Sequence, residues 1–117
     1  MYIQNKKQCI VAVITAITGD RVIVYERELI HALNKHFSWL PRNTFLELLE
    51  QVLKDPTEIY KDNSRLPSEF RLFYRIENGN YLVAVIKIIE SGTFFSSMYP
   101  TGSKIRNPHK KLVKVKI

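Results

Sequence analysis

Sulfur is scarce in this chain: one cysteine, Cys9, and two methionines in 117 residues. A single thiol excludes an internal disulfide and any cysteine-rich zinc site. Cys9 heads an apolar run, where a small core-facing residue is expected rather than a nucleophile. Only four glycines are present. They form no phosphate-cradling loop, and no zinc or calcium loop pattern occurs. No apolar run is long enough to cross a bilayer. Lys6 and Lys7 precede an apolar stretch, but threonines interrupt it and Thr18-Gly19-Asp20 closes it, unlike a signal peptide. The cytoplasm is therefore the expected compartment, with no membrane partner.

Acidic residues are the second scarcity. Eleven Asp and Glu stand against eighteen Lys and Arg, a net charge of +7 and an isoelectric point near 9.6. No acid follows Glu90, whereas Lys104, Arg106, Lys110, Lys111, Lys114 and Lys116 do. Such a surface attracts phosphate polyanions and, by the same physics, anionic membranes and acidic proteins. Lysines on a strand edge also block edge-to-edge pairing. With 45% hydrophobic and 25% charged residues, residues 1–117 are expected to form one domain that folds without staples. No repeat, low-complexity segment or internal linker divides them.

The apolar periodicity then lays out the elements. Cys9 to Thr18 and Arg21 to Tyr25 are β-branched runs joined by a Gly-Asp turn, an N-terminal hairpin. From Glu26 the period becomes helical, with Leu29, Ile30, Leu33 and Phe37 on one stripe and Glu28 near the positive helix end. Pro41 separates a second helix, capped by Asn43 or Thr44 and striped by Phe45, Leu48, Leu49, Val52 and Leu53. Asp55-Pro56 ends it, because proline lacks the donor that would continue the ladder. Ile59-Tyr60 is short and extended, and Lys61 to Ser68 is loop-like.

Phe70 to Glu77, an Asn78-Gly79-Asn80 turn and Tyr81 to Ile89 form a second hairpin. Its second strand is apolar on both faces, as in a central strand covered on two sides. Thr93 to Tyr99 and Leu112 to Ile117 add further strands, separated by a Pro100-Thr101-Gly102 turn. The expected class is α+β: an N-terminal hairpin and two helices packed on a four- to five-stranded antiparallel sheet.

Few residues in this layout suit chemistry. His31 and His36 are five apart, a poor spacing for a shared ion, so no metal site is expected. His36 follows Lys35 at the C-terminal end of its helix, where the dipole favours the protonated imidazole. A neutral-pH proton carrier on a basic surface suits RNA cleavage by the 2′-hydroxyl, which needs a base, an acid and cations around phosphorus. Three residues after Leu33, His36 also fits a hydrogen-bonded residue at the core margin. Arg71, Phe73 and Arg75 share one face of their strand. Lys87 is the lone charge in the central strand; it snorkels, pairs or lines a site. Alternation places Ser97 and Tyr99 with Thr93 and Phe95, and Ser96 on the other face.

Four stretches together carry a family resemblance: HALNKH (His31 to His36), LKDPTEIY (Leu53 to Tyr60), LVAVIK (Leu82 to Lys87) and FFSSMYP (Phe94 to Pro100). In this order they resemble the barnase–EndoU–colicin–RelE group of ribonucleases, in particular its phage- and mobile-element-associated branches, over Arg21 to Pro100. The resemblance implies a small α+β toxin or effector that cuts RNA, often transfer RNA, without metal or other cofactor and leaves a 2′,3′-cyclic phosphate. By the same resemblance His36 is the acid–base histidine, and Arg75 and Lys87 contact the scissile phosphate. Ser97 stands where the group commonly has threonine, with Tyr99 beside it. His31, Lys35, Arg71, Thr101 and Lys104 complete the expected RNA-contacting set.

The reading that follows is an endoribonuclease restrained by an acidic antitoxin or immunity protein, since opposite potentials speed association and block the substrate together. Its rivals are a non-catalytic nucleic-acid-binding module, with salt-sensitive binding but no cleavage, and an interaction protein of a mobile element whose lysines serve solubility alone.

Overall fold

The computed structural model describes residues 9–62, 64, 67–102 and 112–115. The elements run β1 (Ile10–Thr15), β2 (Arg21–Tyr25), α1 (Glu26–His36), α2 (Arg42–Lys54), β3 (Glu58–Asp62), β4 (Glu69–Glu77), β5 (Asn80–Ile89), β6 (Gly92–Thr101) and β7 (Leu112–Val115). All strands join one sheet in the order β1-β2-β6-β5-β4-β3-β7. The α+β class stands, but the sheet has seven strands rather than four to five. The N-terminal hairpin is not a separate element: β2 pairs in parallel with β6, Val22 with Thr93 and Ile23 with Phe94. A parallel pair between strands so far apart in sequence has no turn to announce it.

The β4–β5 hairpin turns at Asn78 and Gly79, with φ of 51° and 83°. Positive φ at both central residues matches the right-handed twist of the strands, which explains the Asn-Gly pair. β3 is longer than Ile59-Tyr60 and reaches Asp62, paired on one side with β4 and on the other with β7. β7 therefore forms one edge of the sheet and β1 the other.

Both helices bury their apolar stripes toward one face of the sheet. α1 contributes Leu29 and Ala32 and ends at Phe37, whose N–H returns to the Leu33 carbonyl. Ile30 was expected on this stripe but is 40% exposed, because Ala32 takes the inward position. α2 buries Phe45, Leu49, Val52 and Leu53. Its N-cap is Pro41, two or three residues before the expected Asn43 or Thr44, and no side chain caps the helix. Pro41 holds the extended backbone of an N-cap, with φ of −64° and ψ of 152°. Cys9 is exposed rather than core-facing, since it precedes the first residue of the edge strand.

Phe45 is fully buried between Phe37 and Phe95, with T-shaped ring contacts at 5.4 and 6.2 Å. It thereby ties α2 to the end of α1 and to β6. Phe45→Ala leaves a cavity at this junction and should destabilise the fold by about 3–5 kcal/mol. Urea denaturation checks this: the midpoint falls while the slope of the transition stays unchanged.

Candidate functional site

Alternation along the strands gives the sheet two chemically different faces. On β5, Leu82, Ala84 and Ile86 join the helix-covered core, and so do Phe73 on β4 and Ile59 on β3. The opposite, open face carries Tyr60, Tyr74, Val83, Val85 and Lys87, by alternation with those core residues. β6 does not keep one alternation along its length. Val85 pairs with Ser97 but Ile86 pairs with Phe95, so Ser96 is an extra residue, a β-bulge. The bulge puts Phe95 and Met98, both buried, into the core, while Ser97 and Tyr99 fall on the open face. The expected grouping of Ser97 and Tyr99 with Phe95 is therefore corrected, since simple alternation fails across a bulge.

β2 accompanies β6 only as far as Phe94. The chain leaves β2 directly into α1, which then packs chiefly along β6. Pro100 fits this arrangement, because proline is tolerated in a sheet where one edge carries no strand. α1 thus lies at the margin between the two faces. On its inward side Leu29 and Ala32 enter the core, while Glu28 in the first turn lines a cavity with Lys87 and His36 at the last residue meets Tyr99.

At the C-terminal end of α1 the His36 ring meets Tyr99 edge-on, with centroids 5.9 Å apart and planes at 85°. Tyr99 stands in register with Val83 and, one strand further, Tyr74. Tyr74 in turn meets Tyr60 and Tyr81 edge-on at 5.6 and 6.3 Å. Val83 is only 1% exposed between these phenols, so β5 is covered on its second face by side chains and not by helices. Burial raises the pKa of Tyr99. Burial, then the neighbouring Tyr99, Tyr60 and Glu58, pushes Tyr74 up to about 12. Both phenols keep their protons at neutral pH and can donate them in hydrogen bonds.

The His36 pKa is lowered from 6.5, first by burial and then by the positive charges of Lys35 and His31. The expected stabilisation of imidazolium by the helix end is thus outweighed by desolvation and like charge. At neutral pH His36 is a neutral proton acceptor beside phenolic donors.

A second constellation lies further along the same face. A cavity of about 340 Å³ is lined by Tyr25, Glu28, Lys87, Ile89, Phe94, Phe95 and Ser96. Tyr25 and Phe94 stack at 5.8 Å with planes 14° apart. Glu28 Oε2 takes Arg27 at 3.2 Å, whereas Oε1 is buried with no hydrogen-bond partner among the described residues. Lys87 lines the same cavity but forms no ion pair with Glu28. Glu28 was noticed in the sequence only as an acid near a helix start, and Tyr25 and Phe94 only as strand residues. No local signal could have joined them, because the contact needs the parallel β2–β6 pair.

The remaining expected residues separate. Ser97 and Thr101 share the open face with Tyr99, and Lys35 and His31 are exposed on α1 close to His36. Arg71 and Arg75 lie on the helix-covered face. Arg71 is held by Glu69 at 2.9 Å and by Asp20 at 3.1 Å. Arg75 donates to the Asp55 carbonyl at 2.6 Å and to its carboxylate at 2.9 Å, which ties β4 to the end of α2. The structure does not bring these arginines to His36. Lys104 and most of the lysine-rich tail lie outside the described residues, and Lys114 pairs with Glu58 at 3.8 Å. Among the described residues no group of three or more His, Cys, Asp or Glu could hold a metal ion, and no helix is long and apolar enough to cross a membrane.

Residues 3–115 match the family described as phage-Barnase-EndoU-ColicinE5/D-RelE like nuclease2, and the chain belongs to that family. The match confirms the resemblance carried by the histidine helix and the strands, and extends it to the N-terminal hairpin and β7. Neither a curated protein nor a solved structure matches the chain.

If Lys35 contributes to the low pKa of His36, Lys35→Gln should raise it. An NMR titration of the imidazole reads this directly; an unmoved midpoint would remove Lys35 as a cause. The sign for stability follows from linkage. The unfolded chain takes up this proton first as pH falls, so the group's contribution is complete above about 6.5 and is lost as pH drops through the folded value.

Proposed function

We propose that the chain is an endoribonuclease that cleaves RNA, transfer RNA included, by attack of a 2′-hydroxyl on the adjacent phosphate. The contact between His36 and Tyr99 on the open sheet face carries this reading. His36 is neutral at physiological pH and can accept the 2′ proton, the role of a general base. The 2′ oxygen bonds to phosphorus, the bond from phosphorus to the 5′ oxygen breaks, and a 2′,3′-cyclic phosphate remains. The leaving 5′ oxygen takes its proton from the Tyr99 phenol, which recovers one from water. A phenol with a raised pKa is a weak acid, but the departing alkoxide is a stronger base than phenolate.

Charge on the phosphate is met by Lys87, four residues along β5 from Val83, the register partner of Tyr99. That interval is about 13 Å along the strand, which a lysine arm and a nucleotide span together. Ser97 lies on the face between them and offers a hydroxyl donor to a phosphate oxygen. His31 and Lys35 add positive potential at the approach to His36. Every role in this reading belongs to a side chain. Arg75 has no part in it and instead anchors β4 to α2. The net charge of +7 also suits an acidic antitoxin or immunity protein that covers the open face.

Wild-type protein incubated with total RNA in excess chelator should give discrete products ending in cyclic phosphate, and His36→Ala should give none while melting at the same temperature. Intact RNA with wild type would favour a binding module. Arg75→Ala should keep turnover within about twofold yet lose about 1 kcal/mol of stability, since its carboxylate partner is solvent-screened and the carbonyl bond contributes most. A large fall in turnover without loss of stability would return Arg75 to the chemistry.

A further inference from the structure

We infer that the cleft beside the turn between α1 and α2 is a stacking subsite for single-stranded RNA, in which a base flanking the cut bond lies against Trp39. The inference rests on the RNA-cleaving function proposed above and adds a second place where the protein holds its substrate.

The first observation is how Trp39 is displayed. The Leu40 N–H donates to the Phe37 carbonyl at 2.9 Å and closes a tight turn from Phe37 to Leu40. Both ends of that turn are anchored: Phe37 is buried and Leu40 packs against the core. Trp39, near its tip, is 70% exposed, more than any other large hydrophobic residue described. Its ring leans on that of Phe37, with centroids 5.8 Å apart and planes at 50°. A single surface apolar residue needs no explanation. This one, however, is fixed in place by backbone and core, and an indole held in advance loses little freedom when a ligand stacks on it.

The second observation is what surrounds it. A cleft of about 340 Å³ runs from Trp39 to the tip of the β4–β5 hairpin. Phe37, Leu48, Leu82 and Pro100 form its apolar walls, and Asn78 and Asn80 stand at the hairpin end. Among the described residues no charged one lines it, so it offers a phosphate no cation. The +7 charge of the chain attracts a polyanion as a whole. What an uncharged aromatic cleft takes from that polyanion is a flat, neutral base. Carboxamides both donate and accept, so Asn78 and Asn80 suit any base edge, and stacking itself is tolerant of sequence.

The cleft also continues the proposed active site. Ring contacts run from Tyr99 to His36 at 5.9 Å, from His36 to Phe37 at 6.5 Å and from Phe37 to Trp39 at 5.8 Å. Pro100, in the cleft wall, directly follows Tyr99 and lies beyond the part of β6 that β2 accompanies. Along β5, Leu82 of the cleft and Lys87 lie on opposite sides of Val83, the register partner of Tyr99. An RNA strand with its scissile phosphate at His36 and Tyr99 therefore meets Lys87 in one direction. In the other it rounds the strand-free edge of β6 and reaches Trp39.

Trp39 is the single tryptophan of the chain, so its fluorescence reads the subsite directly. The test titrates the full chain carrying His36→Ala with a short mixed-sequence single-stranded RNA. The same RNA as a perfect duplex, and a ribose–phosphate strand of equal length without bases, serve as comparisons. The single strand should quench Trp39 emission, whereas the other two bind by charge and leave it unchanged. In the same background Trp39→Ala should weaken binding of the labelled single strand, read by anisotropy, about tenfold, the scale of one base–aromatic stack. Trp39→Phe should restore most of that loss, and thermal melts establish that each variant is folded. No binding of the single strand, binding without quenching, equal quenching by the duplex or the baseless strand, or full affinity in folded Trp39→Ala would each overturn the assignment. RNA cleavage by wild type without such quenching would sink the subsite and leave the nuclease standing. Quenching by single-stranded RNA in a chain that cuts none would do the reverse.

Discussion

The outer edge of β6 is the constraint on which the rest of the structure depends. A strand inside a sheet needs partners on both sides, and β6 has β5 along its whole length but β2 only as far as Phe94. Beyond that point α1 takes the place of a strand. Because β2 runs into α1 without a loop, the helix starts where the strand pairing stops. A helix in that position borders both the core and the open face. His36 meets Tyr99, and Glu28 meets the Lys87 cavity, because of this handover. The hydrophobic anchor that keeps it in place is Leu29, Ala32 and Phe37, locked by Phe45 against Phe95.

The bulge at Ser96 is the second condition. Without the extra residue, Ser97 and Tyr99 would follow Phe95 into the core, and their polar groups would be buried without partners. With it, Phe95 and Met98 fill the core while a serine and a tyrosine face outward a few residues later. Bulges often redirect side chains beside active sites. The two faces then divide the charges by task. On the helix side Arg71 and Arg75 are neutralised by Asp20, Glu69 and Asp55 and tie elements together. On the open side Lys87 shares a cavity with Glu28 but not an ion pair.

Burial tunes the same face. Desolvation lowers the basicity of His36 and raises the pKa of Tyr99 and Tyr74. Burial thus favours the uncharged form of both kinds of group.

Local pattern alone determined most of the elements: the β1–β2 hairpin with its Gly19 turn, both helix stripes, the Asn78-Gly79 hairpin and β7. Each depends on neighbours a few residues apart, and periodicity and turn chemistry act at that range. His36 and Lys87 stood out in the sequence, one beside a lysine at a helix end and the other as the lone charge of a central strand, while the roles expected of Ser97 and Tyr99 came from the family resemblance. What only the tertiary structure decided was which of them share a face. The parallel β2–β6 pair, the bulge and the position of α1 separate Arg75 from Tyr99 and join Glu28 to Lys87. Pairing between strands some 70 residues apart leaves no local mark, because its free energy comes from burying surfaces that meet only after the chain has folded.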